Sequence, residues 1–378
     1  MNPISDNRPT TLSEVERLAW LRLIRSEHVG PVTFAELLKH AGTAQRALEL
    51  LPDLARRGGK AGRICSLEDA EAELDAHRRI GARLVGLNEP DYPQHLRHID
   101  GPPPLLSVKG GPTALTRERM MAIVGSRNAS LSGRKLAARF AHGLGAEGFS
   151  IVSGLARGID AAAHEAALQT GTIAVFAGGI NVLYPPEHDR LLAAVLETGG
   201  AVISEMPLGW KPRSRDFPRR NRLISGLSLG VIVIEAAKAS GSLHTARYAL
   251  EQNRDIFAVP GSPLDPRSEG ANGLIRQGAT LVSTTDDVLE GLDGRLAPTL
   301  PFGRQFREDS ETAPLPPADP DEKLRERVLA ALGPTPVDMD ELIRFADGDA
   351  RSVHVVLLEL ELAGRLERHR GNKISALM

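Results

Sequence analysis

The strongest concentration of anion-binding groups in the sequence lies between Glu205 and Gly226. This stretch holds six basic residues against two acidic ones, whereas the whole chain has a formal net charge of −2. Five of the six are arginines, whose planar guanidinium donates two parallel hydrogen bonds to a phosphate. The pattern favours a phosphate-backbone site, and a surface helix with solvated charges is the alternative. The candidate residues in this stretch are Lys211, Arg213, Phe217, Arg220, Asn221 and Arg222.

Turns rich in glycine and serine follow several predicted strands. One is Gly125-Ser126-Arg127, a second begins at Ser153-Gly154 and a third is Ser240-Gly241-Ser242. Backbone N–H groups at such strand-to-helix junctions hold anions, and the carboxyl ends of parallel strands meet at one edge of a sheet. The turns therefore predict one shared anion site, with tight turns and solvated side chains as the alternative. Its candidate residues are Gly125, Ser126, Arg127, Ser153, Gly154, Arg157, Ser240, Gly241 and Ser242.

No arrangement for catalysis is evident in the sequence. His164, His188 and His244 are isolated and lack metal-ligand spacing, the turn after the first strand lacks G-x-G-x-x-G, and no P-loop lysine motif follows a strand. Cys65 is the single cysteine, which excludes an internal disulfide and a cysteine-cluster zinc site. We therefore expect no catalytic residues, no metal and no cofactor.

Aromatic residues make up 4% of the chain, so few side chains are available to stack on nucleobases. Trp210 and Phe217 flank the basic stretch, and we favour Phe217 for stacking. Packing beneath the helix is the alternative for both rings. With so few stacking partners, any affinity for a polynucleotide should come mainly from phosphate contacts and should fall steeply with salt.

Short apolar runs alternate with helix-length segments between residues 121 and 282. Runs without polar alternation indicate strands that are buried on both faces. Strand–helix alternation indicates a doubly wound, Rossmann-like parallel α/β sheet with right-handed crossovers. Residues 81–110 have no such pattern and are predicted to be irregular, with a stiff Gly-Pro-Pro-Pro connection. The predicted strands are 121–124, 149–152, 172–176, 201–203, 230–234, 255–259 and 279–282.

The length of 378 residues suggests two or three domains. The amino-terminal part consists of short predicted helices separated by a Gly-Pro turn, which resembles a SAM or helix-hairpin-helix domain. A packing turn in a small helical domain is the alternative that we favour for the turn itself. Near the carboxyl terminus, three helical segments precede a hairpin, which is the plan of a winged helix. The predicted domains are helical at 1–88, Rossmann-like at 89–298, a Pro-rich linker at 299–320 and a winged helix at 321–378.

The third helix of the predicted winged helix has an acidic face. The segment from Ala350 to Leu362 carries Glu359 and Glu361 beside Arg351 and His354. Because an acidic face repels phosphate, we expect this helix to contact a partner protein rather than duplex DNA.

The sequence predicts a cytoplasmic protein that does not span a membrane. Its first twenty residues lack a basic start followed by an apolar run, and no 18 consecutive apolar residues occur.

A series of ordered motifs extends over residues 90–285. The motifs are Tyr92-Pro93, Asp100-Gly101-Pro102-Pro103, Gly125-Ser126-Arg127, Ser153 through Asp160, Tyr184-Pro185, Ser204-Glu205, Phe217-Pro218, Arg220-Asn221-Arg222, Glu235-Ala236, Ser240-Gly241-Ser242, Val259-Pro260-Gly261 and Gly270-Ala271-Asn272. Together they resemble the bacterial DNA-processing protein A (DprA, also called Smf) family. One departure is Ile180, which stands where a third glycine often follows Gly178-Gly179 in that family.

The resemblance implies a non-enzymatic protein that binds single-stranded DNA through its Rossmann-like domain. It also implies protection of incoming strands during natural transformation, loading of the RecA recombinase, and a homodimer formed through the same domain. Carried onto this chain, it assigns phosphate contacts to Arg127, Arg220, Arg222, Lys211 and Arg213. The glycines and serines of the turns would supply small walls and hydrogen-bond donors.

Two other functions are compatible with the same sheet plan. One is a nucleotide phosphoribohydrolase of the lysine-decarboxylase-like (LOG) group, which carries P-G-G-x-G-T-x-x-E where this chain has Glu235 through Thr245 without that glutamate spacing. The other is a regulator that binds duplex DNA through the winged helix while the sheet domain senses a ligand.

Overall fold

The computed structural model describes residues 11–60, 62–111, 113–296, 320–369 and 371–377. Of the predicted linker 299–320, only Pro320 lies within the described residues. The chain divides into two compact units, one formed by Met1–Ala72 together with Pro301–Met378 and the other by Glu73–Leu300. Within the described ranges, no helix is both long and apolar enough to cross a membrane.

The first four helices precede the sheet. Helix α1 begins after Ser13, whose side chain and that of Glu16 form a reciprocal capping box. Helix α2 begins at Pro31, which follows the N-cap Gly30. The Gly-Pro turn between two short helices is thus present as predicted. The helices are α1 (Glu14–Arg25), α2 (Pro31–Ala41), α3 (Ala44–Arg57) and α4 (Leu67–Arg79).

Nine strands form the sheet of the second unit. They are β1 (Ala82–Gly86), β2 (Leu105–Gly110), β3 (Met120–Gly125), β4 (Ser150–Ser153), β5 (Thr172–Val175), β6 (Ala201–Ser204), β7 (Gly230–Ile234), β8 (Asp255–Ala258) and β9 (Thr280–Leu281). Their order is β1-β2-β6-β5-β4-β3-β7-β8-β9. All pairs among β3 to β9 are parallel. The predicted doubly wound α/β sheet is therefore confirmed.

The edge formed by β1 and β2 differs from the prediction. Residues 81–110, expected to be irregular, contain two strands that pair antiparallel with each other, and β2 also pairs antiparallel with β6. The sheet is thus mostly rather than entirely parallel. The Gly-Pro-Pro-Pro run that ends just before β2 is a strong turn signal, and it hides these two strands in the sequence pattern.

Helices cover both faces of the sheet. They are α5 (Gln94–Arg97), α6 (Leu131–Ala146), α7 (Ile159–Ala166), α8 (Asp189–Glu197), α9 (Asp216–Leu227), α10 (Ser242–Glu251), α11 (Glu269–Arg276) and α12 (Thr285–Leu296). Because β3 to β7 are buried on both faces, two large apolar cores result, one around Leu223 and Val231 and the other around Phe140 and Ile232. The strand order reverses at β3, which pairs with β4 on one side and with β7 on the other. This reversal creates a switch point where open α/β sheets collect ligands.

The carboxyl-terminal residues fold as predicted into a winged helix. Its elements are α13 (Glu322–Ala331), β10 (Val337–Asp338), α14 (Met339–Ala346), α15 (Ala350–Leu362), β11 (Leu366–His369) and β12 (Lys373–Ala376). The hairpin β11–β12 was predicted, and β10 adds a third strand beside β12.

Candidate functional site

Two adjoining cavities lie at the carboxyl ends of the central strands. One, of ≈ 330 Å³, lies beyond β4 and β5, and the other, of ≈ 680 Å³, lies between the turns that follow β3 and β7. We call the two cavities together the cleft. Their shared wall is formed by Arg127, Asn128, Ala156, Phe217 and Arg220.

The structure brings most of the sequence-predicted site residues to this cleft. Those that line it are Gly125, Ser126, Arg127, Gly154, Arg157, Phe217, Arg220, Asn221, Ser240, Gly241 and Ser242. Four predicted residues are not among its lining, namely Ser153, Lys211, Arg213 and Arg222. The cleft lining therefore includes eleven of the fifteen predicted site residues.

The turn after β3 has no room for a side chain at its first position. A Cβ atom on Gly125 would lie 1.8 Å from the carbonyl oxygen of Ile234. The backbone N–H of Ser126 donates to the carbonyl of Glu235 at 2.7 Å, which binds the turn to β7. Arg127 then extends into the open, with its guanidinium carbon 5.0 Å from the centroid of the Phe217 ring. No carboxylate among the described residues forms an ion pair with Arg127, so its charge is available to an anion.

The turn after β4 does not offer the free N–H groups that the sequence led us to expect. The N–H groups of Gly154 and Ala156 donate to one carboxylate oxygen of Asp160, at 3.0 Å and 3.3 Å. The chain's own carboxylate thus occupies the position expected for a bound anion. Burial raises the pKa of Asp160, while the nearby Arg220 and the two N–H donors act in the opposite direction.

Arg220 is the buried cation of the cleft, with 6% of its surface exposed. Its Nη1 atom donates to the carbonyl oxygens of Gly154 and Val175, at 2.7 Å and 2.6 Å. A Cβ on Gly154 would lie 2.2 Å from Nη1, so this glycine makes room for the guanidinium rather than for a ligand. Burial lowers the pKa of Arg220 to about 10, which Asp160 partly offsets, and the guanidinium stays charged at neutral pH.

Arg222 lies outside the cleft, which corrects its predicted phosphate contact. Its Nη2 pairs with Glu205 at 2.5 Å and its Nη1 donates to the carbonyl of Gly101 at 2.9 Å. Arg219 pairs with the same carboxylate at 2.9 Å. Glu205 is itself buried. Two of the six basic side chains are therefore held by one carboxylate, and the local positive charge is smaller than the sequence suggested.

Ser153, Lys211 and Arg213 also lie outside the cleft lining. Ser153 is buried, and its hydroxyl donates to the carbonyl of Ile123 at 2.6 Å, so it joins two strands. Lys211 and Arg213 are exposed on the segment before α9. The Arg213 guanidinium lies 4.8 Å from the centroid of the Trp210 ring. Trp210 in turn donates to Asp216, so this ring is part of a local packing arrangement.

Tyr184 contributes a second ring to the cleft that the site prediction missed. Its centroid lies 5.5 Å from that of Phe217 at an interplanar angle of 60°, and 48% of its surface is exposed. Arg157, on the same wall, pairs with Glu187. Asn128 and His244 also line the cleft without having been predicted. The only sequence signal for Tyr184 was its place in the Tyr184-Pro185 motif.

The turn before α10 completes the second cavity. Asn221 donates to the carbonyl of Gly241 at 3.2 Å and so holds the turn against α9. The hydroxyl oxygens of Ser240 and Ser242 lie 2.7 Å apart. A Cβ on Gly241 would meet nothing within 4 Å, so packing does not explain this glycine. Two hydroxyl groups therefore face the same space as Arg127 and Arg220.

Two carboxylates near the turns, Glu235 and Asp160, accept hydrogen bonds from the chain itself. Glu235, the first residue of the segment compared with the phosphoribohydrolase motif, accepts hydrogen bonds from the backbone N–H and the hydroxyl of Ser130 at the start of α6. Asp160 is held by two N–H groups. Among the described residues, no group of three or more His, Cys, Asp or Glu side chains could hold a metal.

His164 should make the stability of this unit depend on pH. It is fully buried, its Nδ1 lies 2.7 Å from the Thr172 hydroxyl, and burial lowers its pKa to about 3. Below pH ~6.5 the unfolded chain binds a proton that the folded chain does not, so stability falls as the pH falls, by up to about 1.4 kcal/mol per pH unit. Urea unfolding between pH 7 and 4 should show this slope, and His164→Gln should flatten it. Parallel curves for the two proteins would contradict the assignment.

The sheet is doubly wound, and its switch point holds a cleft lined by arginines and aromatic rings. The chain also has a helical-hairpin region and a winged helix. Together these features define a DNA-binding protein of the Rossmann-like class. Family models bear this out over three segments. Residues 83–293 match DNA recombination-mediator protein A, residues 14–76 a DprA-like N-terminal HHH domain, and residues 311–372 a DprA winged helix domain. The chain belongs to the DprA/Smf family of DNA-processing proteins.

Individual relatives agree with this assignment. Protein Smf of Escherichia coli K12 is 42% identical over 79% of this chain and 82% of its own length. The X-ray structure of DNA processing protein A from Streptococcus pneumoniae covers 74% of this chain and 98% of that protein, with a TM-score of 0.61 and 36% identity. A structure of DNA processing protein A from Helicobacter pylori, described for its single-stranded DNA binding mode, covers 57% of this chain and 96% of that one, with a TM-score of 0.52 and 26% identity.

Proposed function

We propose that the cleft binds single-stranded DNA. The observation that carries the proposal is the placement of one exposed and one buried guanidinium, Arg127 and Arg220, beside the Phe217 ring at the switch point. The related protein of Helicobacter pylori, whose structure is described for single-stranded DNA binding, supports the same ligand.

The dimensions of the cleft favour an unpaired strand. A single strand presents its bases and phosphates separately, so a base can enter a cavity of ≈ 330 Å³ while a phosphate contacts a guanidinium. The paired bases of a duplex are stacked and unavailable to such a cavity without being extruded, which costs a few kcal/mol.

The direct test compares oligo-dT with a duplex of equal length in a gel-shift assay at two salt concentrations. We expect oligo-dT to bind more tightly than the duplex at both salt concentrations. The affinity for oligo-dT should fall steeply as the salt concentration rises, because phosphate contacts dominate. Equal affinity for the two nucleic acids, or affinity independent of salt, would contradict the proposal.

Phe217 provides a test of base stacking. Phe217→Leu keeps an apolar side chain under Arg127 but removes the ring, and should cost about 1–3 kcal/mol of binding to oligo-dT. The salt dependence should not change, because no charge is lost. Trp210→Leu is the matched control, since its ring packs against Arg213 away from the cleft lining. A larger loss for Trp210→Leu than for Phe217→Leu would transfer the stacking role to Trp210.

We further propose that the bound strand is protected and passed to the RecA recombinase in the cytoplasm, and that the protein acts by binding rather than by catalysis. The family assignment supports this proposal. Adding the protein to single-stranded DNA should slow nuclease digestion of the strand and speed RecA loading. Failure of both effects under conditions where oligo-dT is bound would contradict this role while leaving the binding proposal intact.

A homodimer formed through the unit Glu73–Leu300 is part of the same proposal. Exposed leucines on the described part of this unit support it, namely Leu131, Leu250, Leu264 and Leu281. Sedimentation of the full chain as a monomer at micromolar concentration would contradict it.

A further inference from the structure

The third helix of the winged helix is buried on two faces. Val353, Leu357 and Leu360 belong to the core of the winged helix itself. Leu358 and Leu362, on another face of α15, are buried as well, and helices α2 and α3 pack against α15. A winged helix standing alone exposes the face of this helix that points away from its own core. Here the amino-terminal helices of the same unit cover it.

The contact between these two parts of the unit is close and specific. A Cβ on Gly58, at the end of α3, would lie 1.9 Å from the carbonyl oxygen of Glu359. Arg365 donates to the carbonyl of Gly58 at 3.1 Å. Arg368 pairs with Glu36 of α2 at 2.7 Å. Backbone approach and ion pairing thus both hold α15 in place.

The acidic residues of α15 do not act as the sequence suggested. Glu359 is 1% exposed and accepts two hydrogen bonds from Arg325 of α13, both at 2.9 Å. Glu361 pairs with Arg368 at 3.0 Å. Glu359 also lies 3.7 Å from Arg57 of α3, and Arg368 is shared between Glu361 and Glu36. Both carboxylates of α15 are therefore paired with arginines, and charge repulsion is not what keeps phosphates from this helix. Arg351, in its first turn, is exposed.

The turn between α1 and α2 lies in the same contact. A Cβ on Gly364 would lie 2.7 Å from the imidazole of His28, which is part of that turn. A helical hairpin and a winged helix are both elements through which proteins bind DNA. In this unit the two elements contact each other.

We propose that the amino-terminal helices act as an autoinhibitory cover that closes the winged helix to duplex DNA. The second helix of a helix-turn-helix enters the major groove, which is about 12 Å wide and admits a single helix. Helix α15 with α2 and α3 against its outer face is too wide to enter. Release of the cover makes α15 available to a duplex, independently of single-strand binding in the cleft.

Gly58→Ala tests the cover without changing charge. Gly58 has φ −69° and ψ −11°, which any residue adopts, so alanine strains the contacts with Glu359 and Ala363 and not its own backbone. Gly333→Ala is the matched control in the winged helix, because a Cβ there meets nothing within 4 Å. Amide hydrogen exchange in α15 of the full chain reports whether the cover has opened.

Glu36→Arg opens the same contact by a different route, since it places a second cation beside Arg368. Its control is Glu49→Arg, which makes the same charge change at an exposed position paired only with Arg46 of its own helix. Any gain in duplex binding that comes from added positive charge alone appears in both variants.

Affinity for a duplex oligonucleotide decides the proposal. Because apparent affinity is reduced by the fraction of molecules that are closed, Gly58→Ala and Glu36→Arg should raise α15 exchange and strengthen duplex binding about tenfold or more. Affinity for oligo-dT should stay unchanged. Three results would each overturn the proposal: faster exchange without tighter duplex binding, unchanged exchange in both variants, or an equal gain in Glu49→Arg.

Discussion

Replacing Arg220 with alanine is expected to lower the free energy of unfolding by about 3–5 kcal/mol, because the change leaves a buried charge without its partner. The carbonyl oxygens of Gly154 and Val175 lose their donor, and Asp160 stays buried without a cation beside it. Burial raises the pKa of Asp160 and lowers that of Arg220, so each charge depends on the other. Urea unfolding followed by circular dichroism measures the loss.

Two further variants separate this loss from a general effect of removing arginine. Arg219→Ala, at the next position, removes a half-exposed partner of Glu205 and should cost less than about 1 kcal/mol. Asp160→Asn in the Arg220→Ala background removes the unpaired carboxylate charge and should recover part of the stability. A loss below about 1 kcal/mol for Arg220→Ala would show that the pair does not hold the cleft together.

Arg127→Ala should have the opposite profile, with a large effect on binding and little on stability. Its guanidinium is exposed and has no carboxylate partner among the described residues, so folding loses little when it is removed. Binding loses a phosphate contact and the cation above Phe217. We expect affinity for oligo-dT to fall by about tenfold or more, and the slope of log affinity against log salt to become shallower by about 1.

Arg276→Ala is the control for Arg127→Ala. Arg276 is exposed near the end of α11 and is not part of the cleft lining. The Arg276→Ala substitution removes the same charge from the chain as Arg127→Ala. Its binding curves with oligo-dT should match those of the unmodified protein. Equal losses in the two variants would mean that net charge, and not the cleft, sets the affinity.

The sequence was sufficient for the central strands and for the place where their turns meet. Apolar runs such as Gly230–Ile234 predict strands buried on both faces, and the parallel arrangement then brings Gly125, Gly154 and Ser240 to one edge. Gly125 and Gly154 were predicted to be small walls beside a bound ligand. What approaches them is a carbonyl and a guanidinium of the same chain.

The charges were harder to predict because a sequence does not reveal which groups are paired. Arg222 and Arg219 were counted as part of a basic surface, yet both bind Glu205. Asp160 was taken as part of a motif, whereas its carboxylate uses the N–H groups expected to hold a ligand. Each error comes from a tertiary contact between residues of different turns or helices, which local patterns do not contain.

The winged helix shows that contacts between distant parts of the chain are equally hard to predict from local sequence patterns. Its helices and hairpin follow from periodicity, but the local pattern did not reveal that Ala350–Leu362 packs against α2 and α3 of the same chain. The contact with a partner protein that was expected for this helix stays a prediction, and the charge argument given for it does not hold. Glu359 and Glu361 are neutralised by Arg325 and Arg368, and the apolar outer face of the helix accounts for the contact instead.

Ultraviolet cross-linking of oligo-dT to the full-length protein, followed by mass spectrometry of the linked peptides, tests most directly whether the cleft holds an unpaired strand. Two rings at the wall, Phe217 and Tyr184, lie within reach of a base that enters the cleft. The account predicts cross-links at one or both of them, lost in Arg127→Ala and retained in Arg276→Ala. Cross-links confined to residues outside the cleft would contradict it.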